Sequence, residues 1–182
     1  MKIIKFNKEN VSDKEVEDLV VKSRGIILNE QGKALIVKYA GLYMFPGGRI
    51  EEKDLNKRDA LNRELQEESG ISKIKFEDKP FLKIESYDRN YYTRRFGRNV
   101  TRLTETYFYF GKTDEQVNMD KQCLTENEKK EEFLISFENL SVIHYLASTN
   151  KAQNKKIVNF NRELFTAMEE FTKYREKDEK VK

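Results

Sequence analysis

Cysteine, histidine, proline and tryptophan are nearly missing from this 182-residue chain, which has one cysteine, one histidine, two prolines and no tryptophan. The lone Cys123 cannot close an internal disulfide. His144 has nothing beside it in the sequence to complete a ligand set, so it is read as a packing or surface residue. Proline-rich linkers and internal repeats are also missing, and nothing marks a second domain. No run approaches the ~18 apolar residues of a membrane helix. The N-terminal Met1-Lys2-Ile3-Ile4-Lys5 turns polar before a signal-peptide core can form. Together these absences read as a cytoplasmic protein. A formal net charge of +3 falls short of the basic bias of dedicated nucleic-acid binders, yet it permits an anionic substrate.

What is present suits one globular unit with a highly charged surface: 37% hydrophobic, 12% aromatic and 37% charged residues. Residues 1–20 form a short charged extension in which Glu15, Val16, Leu19 and Val20 make a strand or a single helical turn. From Lys22 onward, Gly25-Ile26-Ile27-Leu28, the turn Asn29 to Gly32, and Ala34 to Tyr39 predict a β-hairpin. Leu42 to Phe45 predicts a short strand leading into Pro46-Gly47-Gly48, a turn whose backbone can take unusual dihedrals and approach a ligand closely.

The densest stretch runs from Phe45 to Ile71. Asn56 is a good N-cap, Asp59 suits the first turn, and Gly70 can close the helix in the left-handed conformation. At about 100° per residue, with Glu64 at zero, Glu68 falls near +40° and Glu67 near −60°, while Leu61 and Leu65 fall near +60° and +100°. The acids therefore flank the apolar stripe and turn toward the edge of the core. Like charges at these spacings oppose helix formation by a few tenths of a kcal/mol per pair, and a divalent cation reverses that. Magnesium and manganese prefer such oxygen ligands.

At these residues the chain resembles the Nudix hydrolase family, whose box reads G-x5-E-x7-R-E-U-x-E-E-x-G-U with U a bulky aliphatic residue. Arg63-Glu64-Leu65-Gln66-Glu67-Glu68-Ser69-Gly70-Ile71 matches its second half at every specified position, and Gly48 matches the opening glycine. The first half departs: Asp54 stands where the family has glutamate, and eight residues instead of seven separate it from Arg63. The resemblance implies metal binding by Glu64, Glu67 and Glu68, with Mg²⁺ or Mn²⁺ as cofactor, and catalysis at Glu64. It implies structural support from Gly47, Gly48 and Arg63, with Arg63 fixing the helix through salt bridges. Substrates of the family form are nucleoside diphosphates linked to another group X. A further catalytic glutamate is expected in a loop before the last strand, where Glu126, Glu128, Glu131 and Glu132 compete and Glu128 is chosen.

Phe81 to Tyr87 and Thr104 to Phe110 predict two more strands. Between them, Arg89, Arg94, Arg95, Arg98 and Arg102 interleave with Tyr91, Tyr92 and Phe96. Arginine suits phosphate and aromatic rings stack on bases. The segment is read either as a substrate-contacting loop or lid, with Arg89, Tyr92, Arg94 and Arg95 as binding residues, or as a solvated hairpin tip. Phe133 to Phe137 predicts a strand and Glu138 to Ala147 a short helix. A C-terminal helix is expected over 153–175, with Ile157, Phe160, Leu164, Met168 and Phe171 on one stripe for core packing or a homodimer contact, before a frayed tail at 176–182. The expected fold is a single-domain α/β/α sandwich with a central mixed sheet. Two rivals to a small-nucleotide pyrophosphohydrolase stay open: an RNA 5′-end pyrophosphohydrolase, and a Nudix-fold nucleotide-binding module without catalysis.

Overall fold

The computed structural model describes residues 1–149 and 155–179, the side chains of 127, 155–157, 178 and 179 excepted. In chain order the elements are β1 (Lys2–Phe6), β2 (Asp18–Leu28), β3 (Ala34–Tyr39), β4 (Leu42–Met44), β5 (Gly47–Arg49) and α1 (Lys57–Ser69), then β6 (Lys75–Phe76), β7 (Leu82–Thr93) and β8 (Arg98–Lys112), and last α2 (Glu126–Lys130), β9 (Phe133–Glu138), α3 (Leu140–Thr149) and α4 (Lys155–Glu179). The strands form one mixed sheet in the order β1-β7-β8-β2-β3-β4, with β5 added to β2, β6 to β8 and β9 to β3. The β1–β7 and β2–β8 pairs are parallel and the others antiparallel.

Helices cover both faces, as an α/β/α sandwich requires. On one face Leu61 and Leu65 of α1 pack with Ile27, Leu35, Val37 and Tyr109. Each leucine is fully buried, which contributes about 1.5–3 kcal/mol apiece. On the other face Ile143 and Ala147 of α3 and Leu164, Met168 and Phe171 of α4 pack on Ile26, Leu82, Ile84 and Phe108. The α4 stripe is thus core packing within this chain; the Ile157 side chain lies outside the described residues. His144 stacks on Phe165 at 4.7 Å, as a packing residue.

Three expectations are corrected, and one open alternative is decided. Residues 1–20 are no extension, because β1 pairs with β7 over five residues and β2 begins at Asp18. The expected hairpin of β2 and β3 is nearly open: Leu28 pairs with Ala34 alone, since β5 takes the Lys22–Arg24 part of that edge and β8 the other edge. A strand buried on both faces needs ladder partners on both sides, and the local turn supplies only one of them. Of the two readings of the arginine-rich segment, the structure has the hairpin, a long arm, because β7 and β8 stay paired to Thr93 and Arg98. Last, α4 continues through 176–179, which the tail was expected to include, while 180–182 and the expected start at 153 lie outside the described residues.

Candidate active site

Helix α1 starts and stops where its caps dictate. The Asn56 side chain accepts the N–H groups of Arg58 and Asp59, and Gly70 closes the far end with φ 69°. The helix faces β5, the strand formed within the glycine turn. Gly47 has φ 125°, and a Cβ there would run into the Ser23 carbonyl; a Cβ on Gly48 would collide with the Glu64 carboxylate. Only glycine lets strand and helix approach this closely.

Through that approach Glu68 is enclosed. Its residue is 7% exposed, and its Oε2 accepts the Gly47 N–H at 3.0 Å. Burial first, and then the charge of Glu64, push its carboxyl up to about 8; the Gly47 N–H and Arg24 pull the other way, and Glu128 adds a further upward push. Glu64 is also raised, by burial, with Arg63 opposing and Glu67 and Glu128 adding. Four carboxylates thus act on one another across a small space.

Arg63 is the hub of the surrounding support. Its Nε and Nη2 each donate to Asp54 at 3.0 Å, a bidentate pair, and Nη2 also donates to the Arg49 carbonyl at 3.1 Å. Its Nη1 donates to Glu64 at 3.0 Å and to Glu67 at 3.1 Å. Asp54 in turn accepts the Glu51 N–H at 2.8 Å. The shorter acid and the extra residue compensate: the loop bulges enough for Asp54 to reach Arg63. No three acidic, histidine or cysteine side chains among the described residues are gathered closely enough to hold a metal ion.

Glu128 sits in α2, a short helix within the segment expected to be a loop. Its Oε2 accepts the Thr125 N–H at 2.7 Å and the Thr125 hydroxyl at 2.8 Å, a capping box. Its charge nevertheless reaches both Glu64 and Glu68. Two of the three competitors are engaged elsewhere: Glu126 pairs with Lys129 at 3.0 Å and Glu132 with Lys38 at 2.7 Å.

The arm residues are placed differently from the box residues. Arg89 is tied to Glu15 at 2.5 Å, Arg98 to Glu17 at 2.7 Å, and Arg102 to the buried Asp18. Tyr92 and Arg94 are exposed near the tip. Arg95 alone of the four expected binding residues lines a hollow, of about 190 Å³, together with Arg49 and Arg102. Sequence reasoning missed Arg24, which is 4% exposed, donates to the Phe45 carbonyl at 2.5 Å and lies 3.0 Å from Glu163 of α4. Lys22 and Arg24 alternate within a strand, a sign that two basic side chains share one face.

The NUDIX domain model matches residues 20–164. The chain belongs to the Nudix family. No curated protein sequence gives a significant match. Among solved structures, the MutT protein of Methanosarcina mazei Go1 is 14% identical, covers 86% of this chain and 96% of its own, and superposes with a TM-score of 0.52. The dihydroneopterin triphosphate pyrophosphohydrolase of E. coli is 13% identical over 79% of this chain and 91% of its own, at a TM-score of 0.48. A C. elegans Ap4A hydrolase is 15% identical over 82% and 97%, at 0.43. At these identities the likeness to the M. mazei protein is one of fold. As a Nudix hydrolase, this chain is a pyrophosphohydrolase, and its α1 carries the box from Arg63 to Ile71.

Proposed function

We propose that this Nudix hydrolase is metal-dependent and cleaves a pyrophosphate bond in a nucleoside diphosphate linked to another group X, by attack of water on phosphorus. The observation that carries the reading is the charge of Glu64 and Glu128 acting on the Glu68 carboxyl, which is buried against the glycine turn. Carboxylate oxygens suit a hard divalent cation, and Glu64, Glu67 and Glu68 are the residues that would hold Mg²⁺ or Mn²⁺. When bound, the ion supplies charge neutralisation on the phosphate oxygens and acidifies water.

The chain's own residues do the rest. Arg63 holds Glu64 and Glu67 at the site and fastens the glycine strand through the Arg49 carbonyl. Glu128 spends Oε2 on its helix cap, which leaves Oε1 to take the proton of the attacking water. The pairing of Arg89, Arg98 and Arg102 with N-terminal acids favours free nucleotides over an RNA strand tracked along the arm. No helix among the described residues is long and apolar enough to cross a membrane, in keeping with a cytoplasmic setting.

The test is a screen of nucleoside diphosphate sugars, dinucleoside polyphosphates, ADP-ribose and nucleoside triphosphates, with release of the nucleotide product followed by chromatography. Activity should vanish with chelator and return with Mg²⁺ or Mn²⁺. Full turnover in excess EDTA overturns the reading.

A further inference from the structure

On the sheet face opposite α1, a cavity of about 390 Å³ is bounded by β2, β7, β8 and α4. Basic Lys22, Arg49 and Arg102 line it together with aromatic Phe6, Tyr91 and Phe160. Arg102 is already committed, paired with Asp18 and stacked 3.7 Å from the Tyr91 ring centre. Glu163, also on the wall, is held by Arg24 at 3.0 Å and accepts the Thr106 hydroxyl at 3.2 Å. Lys22 and Arg49 form no ion pair with any described carboxylate; the Lys22 ammonium has the Phe160 ring at 5.9 Å. A shielded ammonium that forms no ion pair is costly, and burial, followed by the Arg24 charge, lowers Lys22 to about 8 against the upward pull of Glu163. An anion bound there removes that cost.

The β2–β5 ladder joins this cavity to the carboxylates. Lys22 stands directly opposite Arg49, so the two side chains leave the same face, and the next pairs along are Ser23 with Gly48 and Arg24 with Gly47. Arg49 is therefore two residues, roughly 7 Å, from the Gly47 N–H that binds Glu68. Among the described residues β5 pairs with β2 alone, and its other edge meets the site, Glu68 on the Gly47 N–H and Arg63 on the Arg49 carbonyl.

We infer that this cavity seats the nucleoside diphosphate half of the substrate, Lys22 and Arg49 taking its phosphates and the aromatic walls its base. The inference rests on the pyrophosphohydrolase reading and assigns a place to one part of that substrate. Inorganic polyphosphate needs only the cations, whereas walls of Phe6, Tyr91 and Phe160 serve a ligand with a flat apolar face. The volume lies near the lower end of ligand pockets, about 300–1,000 Å³, room for one nucleoside and not two. X is left outside it.

Calorimetric titration of the full chain in EDTA, with ADP, GDP, CDP, UDP and pyrophosphate as probes, tests this without turnover. At least one nucleoside diphosphate should bind tenfold or more tighter than pyrophosphate. Lys22→Met and Arg49→Ala should each weaken that binding at least tenfold, and Glu68→Gln should not weaken it. Arg49 is exposed, so Arg49→Ala carries the test even where Lys22→Met fails to fold. Equal affinity for pyrophosphate and all four nucleotides, or undiminished binding by the folded variants, overturns the inference. Metal-dependent turnover alongside either result leaves the catalytic reading standing; metal-free nucleotide binding that needs Lys22 and Arg49, without turnover, supports the inference and removes that reading.

Discussion

The Glu68 carboxyl resists ionising, because burial and the charges of Glu64 and Glu128 outweigh the Gly47 N–H and Arg24. Glu68→Gln keeps size and helix propensity while removing that charge. Turnover should fall by several orders of magnitude, as loss of a metal-binding carboxylate does, while the metal-free protein stays as stable or gains slightly. A variant that keeps its activity, or loses it only because its metal-free fold collapses, makes Glu68 a scaffold residue. The same group sets a pH dependence. Its folded pKa of about 8 lies above the ordinary glutamate value of 4.5, so its stabilising contribution is full below 4.5 and is lost as pH rises through 8. In EDTA, the difference in unfolding free energy between wild type and Glu68→Gln should shift against wild type across that window. A flat difference, measured by denaturant titration, refutes the buried-acid assignment.

At the scale of elements, Arg63 is the tie between α1, the glycine strand and the loop that carries Asp54. It touches carboxylates proposed as ligands, so Arg63→Ala should lower activity about 10–100-fold, the usual range for partners that orient metal ligands, with a cooperative unfolding transition preserved. Unchanged turnover removes Arg63 from the site. Strand β1 makes a separate claim. It adds five residues to β7 in parallel, and Ile4 and Phe6 pack against the main core. Deleting residues 1–7 should lower the melting temperature; a melting curve identical to wild type would mean that the strand is an ornament of the sheet.

For the whole molecule, an ion that binds the folded site and not the unfolded chain raises stability by mass action. At 100 times its dissociation constant the gain is about 2.7 kcal/mol, or about 5–10 °C in a chain of this size. Mg²⁺ or Mn²⁺ should give such a shift in wild type and a much smaller one in Glu68→Gln, by differential scanning fluorimetry. Equal shifts in both would place the ion elsewhere. The acids that neutralise the arm also bear on substrate scale. Activity on free nucleotides should exceed that on short 5′-triphosphorylated RNA and vary only weakly with salt, since strand-tracking phosphate contacts are steeply salt-dependent.

The helix α1, its caps, the facing of its acids toward the core edge and the box from Arg63 to Ile71 were legible in the sequence. Each rests on contacts within about twenty residues, where spacing alone fixes geometry: Asn56 caps its own helix, and Gly70 ends it. Strand β9 was legible for the same local reason, as a short aromatic and β-branched run. Partnership was not. The β1–β7 and β2–β8 parallel pairs join segments about eighty residues apart, and no local pattern announces which strand edge will be filled. Glu9, Glu15, Glu17 and Asp18 looked like a charged extension and the arm arginines like a binding loop, until the sheet laid one beside the other. Asp54 reaches Arg63 despite the longer spacing, and the Glu51 N–H just before it holds its carboxylate, contacts that residue counting cannot see. The cavity beside Lys22 and Arg49 likewise exists only once β5 has paired with β2 and α4 has settled over that face. Short-range hydrogen bonding and helical periodicity are written residue by residue, whereas long-range charge pairing and cavities are decided by which surfaces the fold brings together.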